Sequence, residues 1–170
     1  IGATKYLSLY NASAAGTAST IWNDTEPTTS VFSVGTGSTT NGSVAMVAIG
    51  WAGVEGYSAF GPMTSNSNAD GPIINTGFYP GTIVIKVNTG TPKGWYKWDG
   101  GSDINGARFP LQFDAPSINT LSNDRLDLVS YGAKLRTGST PNYDGTEIYM
   151  AWGGTPIQGN GKDTSQGRAK

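Results

Sequence analysis

The stretch KGWYKWDG holds the densest group of side chains that could bind a ligand. Because side chains alternate along a strand, Trp95, Lys97 and Asp99 share one face, and Tyr96 and Trp98 share the other. An exposed tryptophan ring beside a few polar groups is a common way to build a shallow sugar site. Large aromatic rings are mostly buried, so the alternative is that Trp95 or Trp98 packs into the core.

The glycine-rich loop DGGSDING follows directly and adds the oxygen-bearing side chains of Asp99, Asp103 and Asn105. Calcium needs six to eight oxygen ligands, and this loop lacks the late bidentate glutamate of the helical calcium loop. Asx turns explain the same residues without a metal. We therefore expect no metal and no cofactor here. Asp103 and Asn105 join Trp95, Lys97 and Asp99 as candidate glycan-binding residues.

Paired carboxylates are the other chemistry to consider, since two of them can cleave a glycosidic bond. Asp124 and Asp127 are close in sequence, and Glu147 is a third candidate. A chain with 12 acidic residues offers such pairs without any catalytic purpose. There is no histidine and no cysteine, which removes the commonest general base and all thiol chemistry. We predict that the protein is not an enzyme and has no catalytic residues.

The composition limits the remaining classes of function. The 170 residues carry a formal net charge of -1, and only 14% of them are charged. A nearly neutral surface has no long-range attraction for nucleic acid or for anionic lipid. No apolar run approaches the roughly 18 residues of a membrane span. We therefore expect neither nucleic acid nor membrane insertion.

The elements that must position these residues are strands. Short alternating apolar runs, bounded by glycine, proline, serine and asparagine, are typical of an all-β protein. The 25 glycines supply turns, and no run shows the apolar spacing of an amphipathic helix. The predicted fold is an antiparallel β-sandwich of the jelly-roll or lectin-like kind, with little helix. The predicted strands include KYLSLY, SVFSV, VAMVAIGW, GTIVIKV, WYKWD and EIYMAW.

One pattern occurs twice. The tetrapeptide TGST begins at Thr36 and again at Thr137, 101 residues later, and apolar positions on both sides coincide. In the same register, Trp51 falls on Trp152. We interpret the repeat as two hairpins of the same local structure, each with a TGST loop and a tryptophan at its end. The alternative is that hairpins rich in these residues look alike.

The repeat suggests a division of the chain. Residues 1–57 would be the C-terminal part of a preceding β unit, or edge strands of the same sandwich. Residues 58–157 would form a sandwich module, and residues 158–170 a polar C-terminal tail.

The stretch GVEGYSAFGPMTSNSNADGPIINTGFYPGTIVIKV resembles a segment repeated in tail-fibre and other virion structural proteins of tailed bacteriophages. The later stretches DLVSYGAKLR and EIYMAWGG fit the closing strands of that module, although AWGG replaces the usual acidic ending. The second aromatic usual after Gly61 is also missing. The matching residues before these stretches are Tyr57, Phe60, Gly61, Gly71, Pro72, Thr76, Gly77, Phe78, Pro80, Lys86, Trp95 and Asp99.

This resemblance implies a sandwich of the concanavalin or laminin-G type, a location on the virion surface, and no catalytic motif. It makes a virion structural subunit the first expectation: a tail-fibre, head-fibre or decoration protein that contributes to assembly and to host attachment. The alternative is a lectin-like module that recognises host-surface glycan. The expected partners are further copies of the chain, with a trimer favoured, and other virion proteins. Strands such as KYLSLY and TSVFSV would otherwise present unpaired edges.

Overall fold

The alternating runs form strands in a computed structural model of the chain, which describes residues 2–88, 94–100, 110–112, 114, 125–143 and 145–154. The structure is 36% strand and 6% helix, which confirms an all-β fold with little helix. The strands are β1 (Lys5–Tyr6), β2 (Gly16–Thr17), β3 (Ser58–Thr64), β4 (Ile73–Asn75), β5 (Pro80–Val87), β6 (Trp95–Asp99), β7 (Leu111–Gln112), β8 (Leu126–Val129), β9 (Gly132–Leu135) and β10 (Thr146–Gly153). The helices are the single turns α1 (Ser19–Trp22) and α2 (Ser38–Asn41).

Two antiparallel sheets form the body of the molecule. The larger has the order β3-β10-β5-β6-β7, and the smaller has the order β4-β9-β8. β5 and β10 are the longest strands and lie side by side near the centre, with Ile83 opposite Ala151 and Ile85 opposite Tyr149. β-branched residues such as these isoleucines favour the extended backbone and pack well on a pleated surface.

A single apolar core lies between the sheets and confirms the sandwich arrangement. The larger sheet contributes side chains from four strands, and the smaller sheet contributes from all three of its strands. The buried members are Met63, Ile74, Phe78, Ile83, Ile85, Tyr96, Trp98, Leu126, Ala133, Leu135 and Ala151. The alternation predicted for β6 is correct, because Tyr96 and Trp98 both point into this core.

The two sheets differ on their outer faces. The smaller sheet carries ion pairs there, between Lys134 and Asp70 at 2.7 Å and between Arg136 and Asp127 at 2.5 Å. The larger sheet is contacted by the N-terminal part of the chain, where the Trp95 indole N–H donates to the Ser8 carbonyl at 2.8 Å. The N-terminal residues therefore add a partial third layer over that face.

Residues 2–57 contain little regular structure. β1 and β2 form a two-stranded ribbon, and α1 is joined to the following loop by hydrogen bonds from Gly35 N to the Ile21 carbonyl and from Gly37 N to the Thr20 carbonyl. The predicted strands SVFSV and VAMVAIGW are not strands, and KYLSLY forms one only at Lys5–Tyr6. The physical reason is that SVFSV and VAMVAIGW have no neighbouring strand among the described residues to complete a ladder.

The prediction of two equivalent hairpins is wrong. β9 and β10 flank the second TGST loop, but they belong to different sheets, so this loop crosses the sandwich from one layer to the other. The first TGST loop forms α2 and is followed by a segment without regular structure. Trp51 and Trp152 do not occupy equivalent places, since only Trp152 lies on a strand. Their rings instead contact each other.

None of the helices in the described part of the chain is long and apolar enough to cross a bilayer.

Candidate functional site

Trp95, the aromatic platform of the predicted glycan site, is buried. It is only 4% exposed, because the N-terminal segment covers it and accepts its indole N–H at the Ser8 carbonyl. The Lys86 ammonium lies over its ring, 5.9 Å from the centroid, and burial lowers the pKa of Lys86. The prediction of an exposed Trp95 ring is therefore corrected to the alternative: both Trp95 and Trp98 pack inside the protein.

Lys97 and Asp99 share a face with Trp95, as predicted, and they form an ion pair of 3.0 Å between Nζ and Oδ2. Both side chains are partly exposed. Asp103 and Asn105 lie outside the described residues, so their predicted role in glycan binding stays a prediction. The described residues contain no group of three or more potential metal ligands.

Two of the candidate carboxylates, Asp127 and Glu147, do not form a pair in the structure. The Asp127 carboxylate is on the outer face of the smaller sheet, in its ion pair with Arg136. Glu147 pairs with Val87 and Met63 on the inner face of the larger sheet. Asp124 lies outside the described residues. Asp127 and Glu147 thus belong to different environments and do not flank a common cleft.

Glu147 is fully buried, and its environment is unusual for a carboxyl group. Burial raises its pKa to about 7, although the Tyr143 N–H favours the ionised form by donating to Oε1 at 3.2 Å. The nearby Ser65 hydroxyl opposes the effect of burial on the pKa more strongly than Tyr143 does. Neither Ser65 Oγ nor Glu147 Oε2 makes a well-aligned hydrogen bond to a described residue. Sequence alternation placed Glu147 on a strand but gave no sign that it faces inward.

The Asn142 side chain forms hydrogen bonds with three loop residues at one end of the sandwich, which we call its polar end. The sequence did not lead us to predict this role. Asn142 Oδ1 accepts the Asn66 N–H at 2.9 Å. Its amide N–H groups are shared among Asn66 Oδ1, the Asn68 carbonyl and the Thr137 carbonyl, at 2.7–2.8 Å. A Cβ on Gly71 would lie 2.8 Å from Asn142 Nδ2, so only glycine leaves room for this arrangement. The recurrence of Asn41 and Asn142 after the two TGST motifs was the available signal.

The longest run of exposed residues in the described part of the chain includes residues 44–57, which we call the apolar segment. All fourteen of its residues are exposed. Val47 is 90% exposed, Ile49 71% and Trp51 58%. Isolated apolar residues are common on protein surfaces, but a continuous apolar stretch is a mark of an interaction site.

Aromatic contacts anchor one end of the apolar segment to the sandwich. The rings of Trp51 and Trp152 meet edge to face, with centroids 6.1 Å apart. Phe60 contacts Trp152 in the same way at 5.5 Å. Val54 and Ser58 exchange both main-chain hydrogen bonds, at 2.8 and 3.0 Å. These contacts hold the C-terminal part of the apolar segment against the rim of the larger sheet.

These features define an all-β sandwich protein whose main exposed feature is an apolar segment at the rim of the larger sheet. The chain belongs to the family described as "Domain of unknown function (DUF7483)", which matches residues 1–156. Neither the curated proteins nor the solved structures include a match to the chain.

Proposed function

We propose that the chain is a structural module that associates with copies of itself through the apolar segment, as a tail-fibre, head-fibre or decoration subunit of a virion. The observation that carries the proposal is the exposure of Val47, Ile49 and Trp51 in one continuous stretch. Exposed apolar surface of this kind is unfavourable in water and is removed by association.

The distribution of charge favours association of identical surfaces. From Pro27 to Val54 the chain has no charged residue, and Glu55 is the only one before Asp70. Interspersed charges are what usually keeps a soluble protein from self-association, because like charges repel and charged groups resist desolvation. A surface with one charged residue meets a second copy of itself with little electrostatic cost.

The virion part of the proposal rests on the sequence resemblance to phage fibre modules, together with the sandwich fold that such modules imply. The proposed partners are further copies of the chain, with a trimer favoured, and neighbouring virion proteins. The proposed location is the surface of the particle.

The alternative lectin-like function needs an exposed aromatic ring beside polar groups. Trp95 does not offer one, since it is buried beneath the N-terminal segment. Lys97 and Asp99 already satisfy each other's charges. The observations therefore favour assembly over glycan recognition at this strand.

A matched pair of variants tests the assembly proposal. Ile49 and Ile73 are both exposed, at 71% and 47%, but Ile73 lies on β4 of the smaller sheet. Ile49→Ser should weaken association by about 10- to 100-fold, because an isoleucine side chain buried at an interface contributes roughly 1.5–3 kcal/mol. Ile73→Ser should leave association unchanged. Equal effects of the two substitutions, measured by sedimentation velocity, would argue against the apolar segment as the contact.

The virion proposal is tested separately, by mass spectrometry of gradient-purified particles produced from the genome that encodes the chain. The tryptic peptide LDLVSYGAK, which follows Arg125 and ends at Lys134, should be recovered from intact particles. Its recovery only from the soluble fraction of the lysate would rule out a structural role in the particle.

A further inference from the structure

We propose that residues 44–51 act as an intermolecular β-strand, which pairs with the same segment of a second copy of this chain. The inference rests on the proposed assembly function and adds the segment, its partner and the kind of contact. It follows from three properties of these residues: their backbone, their side chains and the edge of β3 beside them.

The backbone of residues 45–51 has no helix, turn or bend, and it is unpaired within the described part of the chain. None of its N–H groups donates to a main-chain carbonyl of another described residue, and the next hydrogen bonds along the chain are those at Ala52 and Val54. Exposed main-chain donors and acceptors in a row are a template for strand addition.

The side chains suit a strand that is covered on both faces. In a strand, Val44 and Met46 would lie on one face, and Val47, Ile49 and Trp51 would be the large residues of the other. Strands with one wet face alternate between apolar and polar residues, whereas continuous apolar runs are typical of strands buried on both sides. β10 has a comparable run, occupies the repeat-equivalent positions and lies centrally between two strands.

The neighbouring edge of β3 is poorly suited to pair with residues 44–51. Ser58 exchanges its main-chain hydrogen bonds with Val54, so Phe60, Pro62 and Thr64 also direct their main-chain groups toward that open edge. Pro62 has no N–H to donate there. In addition, the Ser58 hydroxyl donates to the Ala52 carbonyl at 2.9 Å, which ends the hairpin after one bridge.

A second copy of residues 44–51 fits better than any charged partner. The stretch is uncharged and apolar, so the same stretch is a complementary surface for it. Together with Val54 and Tyr57, it carries seven large apolar side chains that are each at least 43% exposed, and their removal from water would favour association. The contact with Trp152 holds the end of the segment at the sheet rim and limits the freedom lost on pairing.

The absence of cysteine in the chain allows a direct test. Single-cysteine variants Ala45→Cys, Val47→Cys and Ile49→Cys are oxidised mildly, with Ile73→Cys as the control on the sandwich surface. Pairing brings Cα atoms of neighbouring strands to about 4.5–5.5 Å, within the range that a disulfide spans. At least one variant in the segment should form disulfide dimers about tenfold or more faster than the control.

The outcomes separate the inference from the proposed function. Association in light scattering without faster cross-linking of any segment variant would overturn strand pairing and leave the assembly function standing. Cross-linking only in a mixture of Val47→Cys with Thr64→Cys would place the segment on the β3 edge and also overturn the inference. A chain that stays monomeric would overturn both. Circular dichroism confirms that each variant keeps its strands.

Discussion

Asn142 is the single residue on which the polar end of the sandwich depends most. Its side chain is fully buried and joins the 65–70 loop to the second TGST loop, across more than 70 residues of sequence. Four polar groups would lose a partner if it were truncated. Buried polar groups left without hydrogen bonds cost far more than the net contribution of the bond itself.

We predict that Asn142→Ala lowers the free energy of unfolding by about 2–4 kcal/mol, because four part-buried hydrogen bonds of this fully buried side chain are lost at once. Asn41→Ala is the matched control, since Asn41 follows the first TGST motif but is exposed and donates only to the Gly35 carbonyl through its side chain. The control should cost less than about 1 kcal/mol. Urea unfolding measures both, and equal losses would contradict the role given to Asn142.

Glu147 should make stability depend on pH. Its folded pKa is raised to about 7 from an ordinary value of 4.5. The folded state therefore holds a proton that the unfolded chain has released, and stability falls as pH rises from about 4.5 to about 7. The fall is on the order of 3 kcal/mol, and above that range the stability is level again.

Glu147→Gln should abolish this part of the pH dependence, because the amide does not titrate and its oxygen still accepts from Tyr143 N–H. The measurement is the difference in unfolding free energy between about pH 5 and about pH 8. Exposed Glu55→Gln is the control and should leave the difference unchanged. A Glu147→Gln profile parallel to that of the unmodified protein would show that the carboxyl is not protonated in the fold.

At the residue scale, the sequence predicted which face of a strand a side chain occupies better than it predicted how exposed that side chain is. Alternation correctly separated Trp95 from Tyr96 and Trp98. It could not reveal that Trp95 is covered, because the covering Ser8 carbonyl is 87 residues away in sequence. Long-range contacts of this kind leave no mark in the local pattern.

At the scale of elements, specific hydrogen bonds link the N-terminal segment to the larger sheet. The ribbon of β1 and β2 lies beside the Trp95–Ser8 hydrogen bond, and Ala15 N donates to the Asn88 carbonyl at 3.3 Å just after β5. Because residues 2–57 contain little regular structure, this cover should open locally more readily than the sandwich itself.

We predict that Trp95→Phe loosens the cover without unfolding the sandwich. The ring stays apolar, but the hydrogen bond to Ser8, worth about 0.5–1.5 kcal/mol, is lost. Amide exchange in β1 should become roughly 2- to 12-fold faster, while exchange in β5 and β10 stays slow. Trp51→Phe is the control, because Trp51 is exposed and lies outside this contact. Unchanged exchange in β1 would show that other contacts hold the segment.

The elements also show where pattern reading works and where it fails. Runs such as GTIVIKV and EIYMAW became the central strands β5 and β10, because each has partners on both sides. VAMVAIGW has the same apolar character but remains unpaired. Strand propensity describes a residue's fit to a sheet, and whether a sheet is available is decided elsewhere in the chain or in a partner. The matching apolar patterns around the two TGST motifs predicted two equivalent hairpins. The second motif instead connects two strands that lie in different sheets.

At the scale of the whole molecule, the sandwich and the N-terminal part have opposite surface characters. The smaller sheet presents ion pairs to solvent, whereas the N-terminal part supplies most of the large exposed apolar residues of the described chain. A protein that stayed monomeric would be expected to distribute such residues singly. The fold class was predictable from composition and turns, but this asymmetry required the structure.

The whole-molecule account also predicts how association responds to salt. The contact proposed for residues 44–51 contains no charged side chain. Screening at about 0.5 M salt should therefore leave it unchanged or slightly stronger, whereas an interface built on ion pairs would weaken. Dissociation on adding salt would point to a charged surface, such as the outer face of the smaller sheet.

Sedimentation equilibrium of the unmodified chain tests the central claim most directly. The account predicts an average mass that rises with concentration to a multiple of the 17.7 kDa chain. It also predicts that Ile49→Ser shifts this rise to higher concentration while Ile73→Ser does not. A single species of 17.7 kDa up to about 100 μM, well above the dissociation constants of stable assemblies, would contradict it.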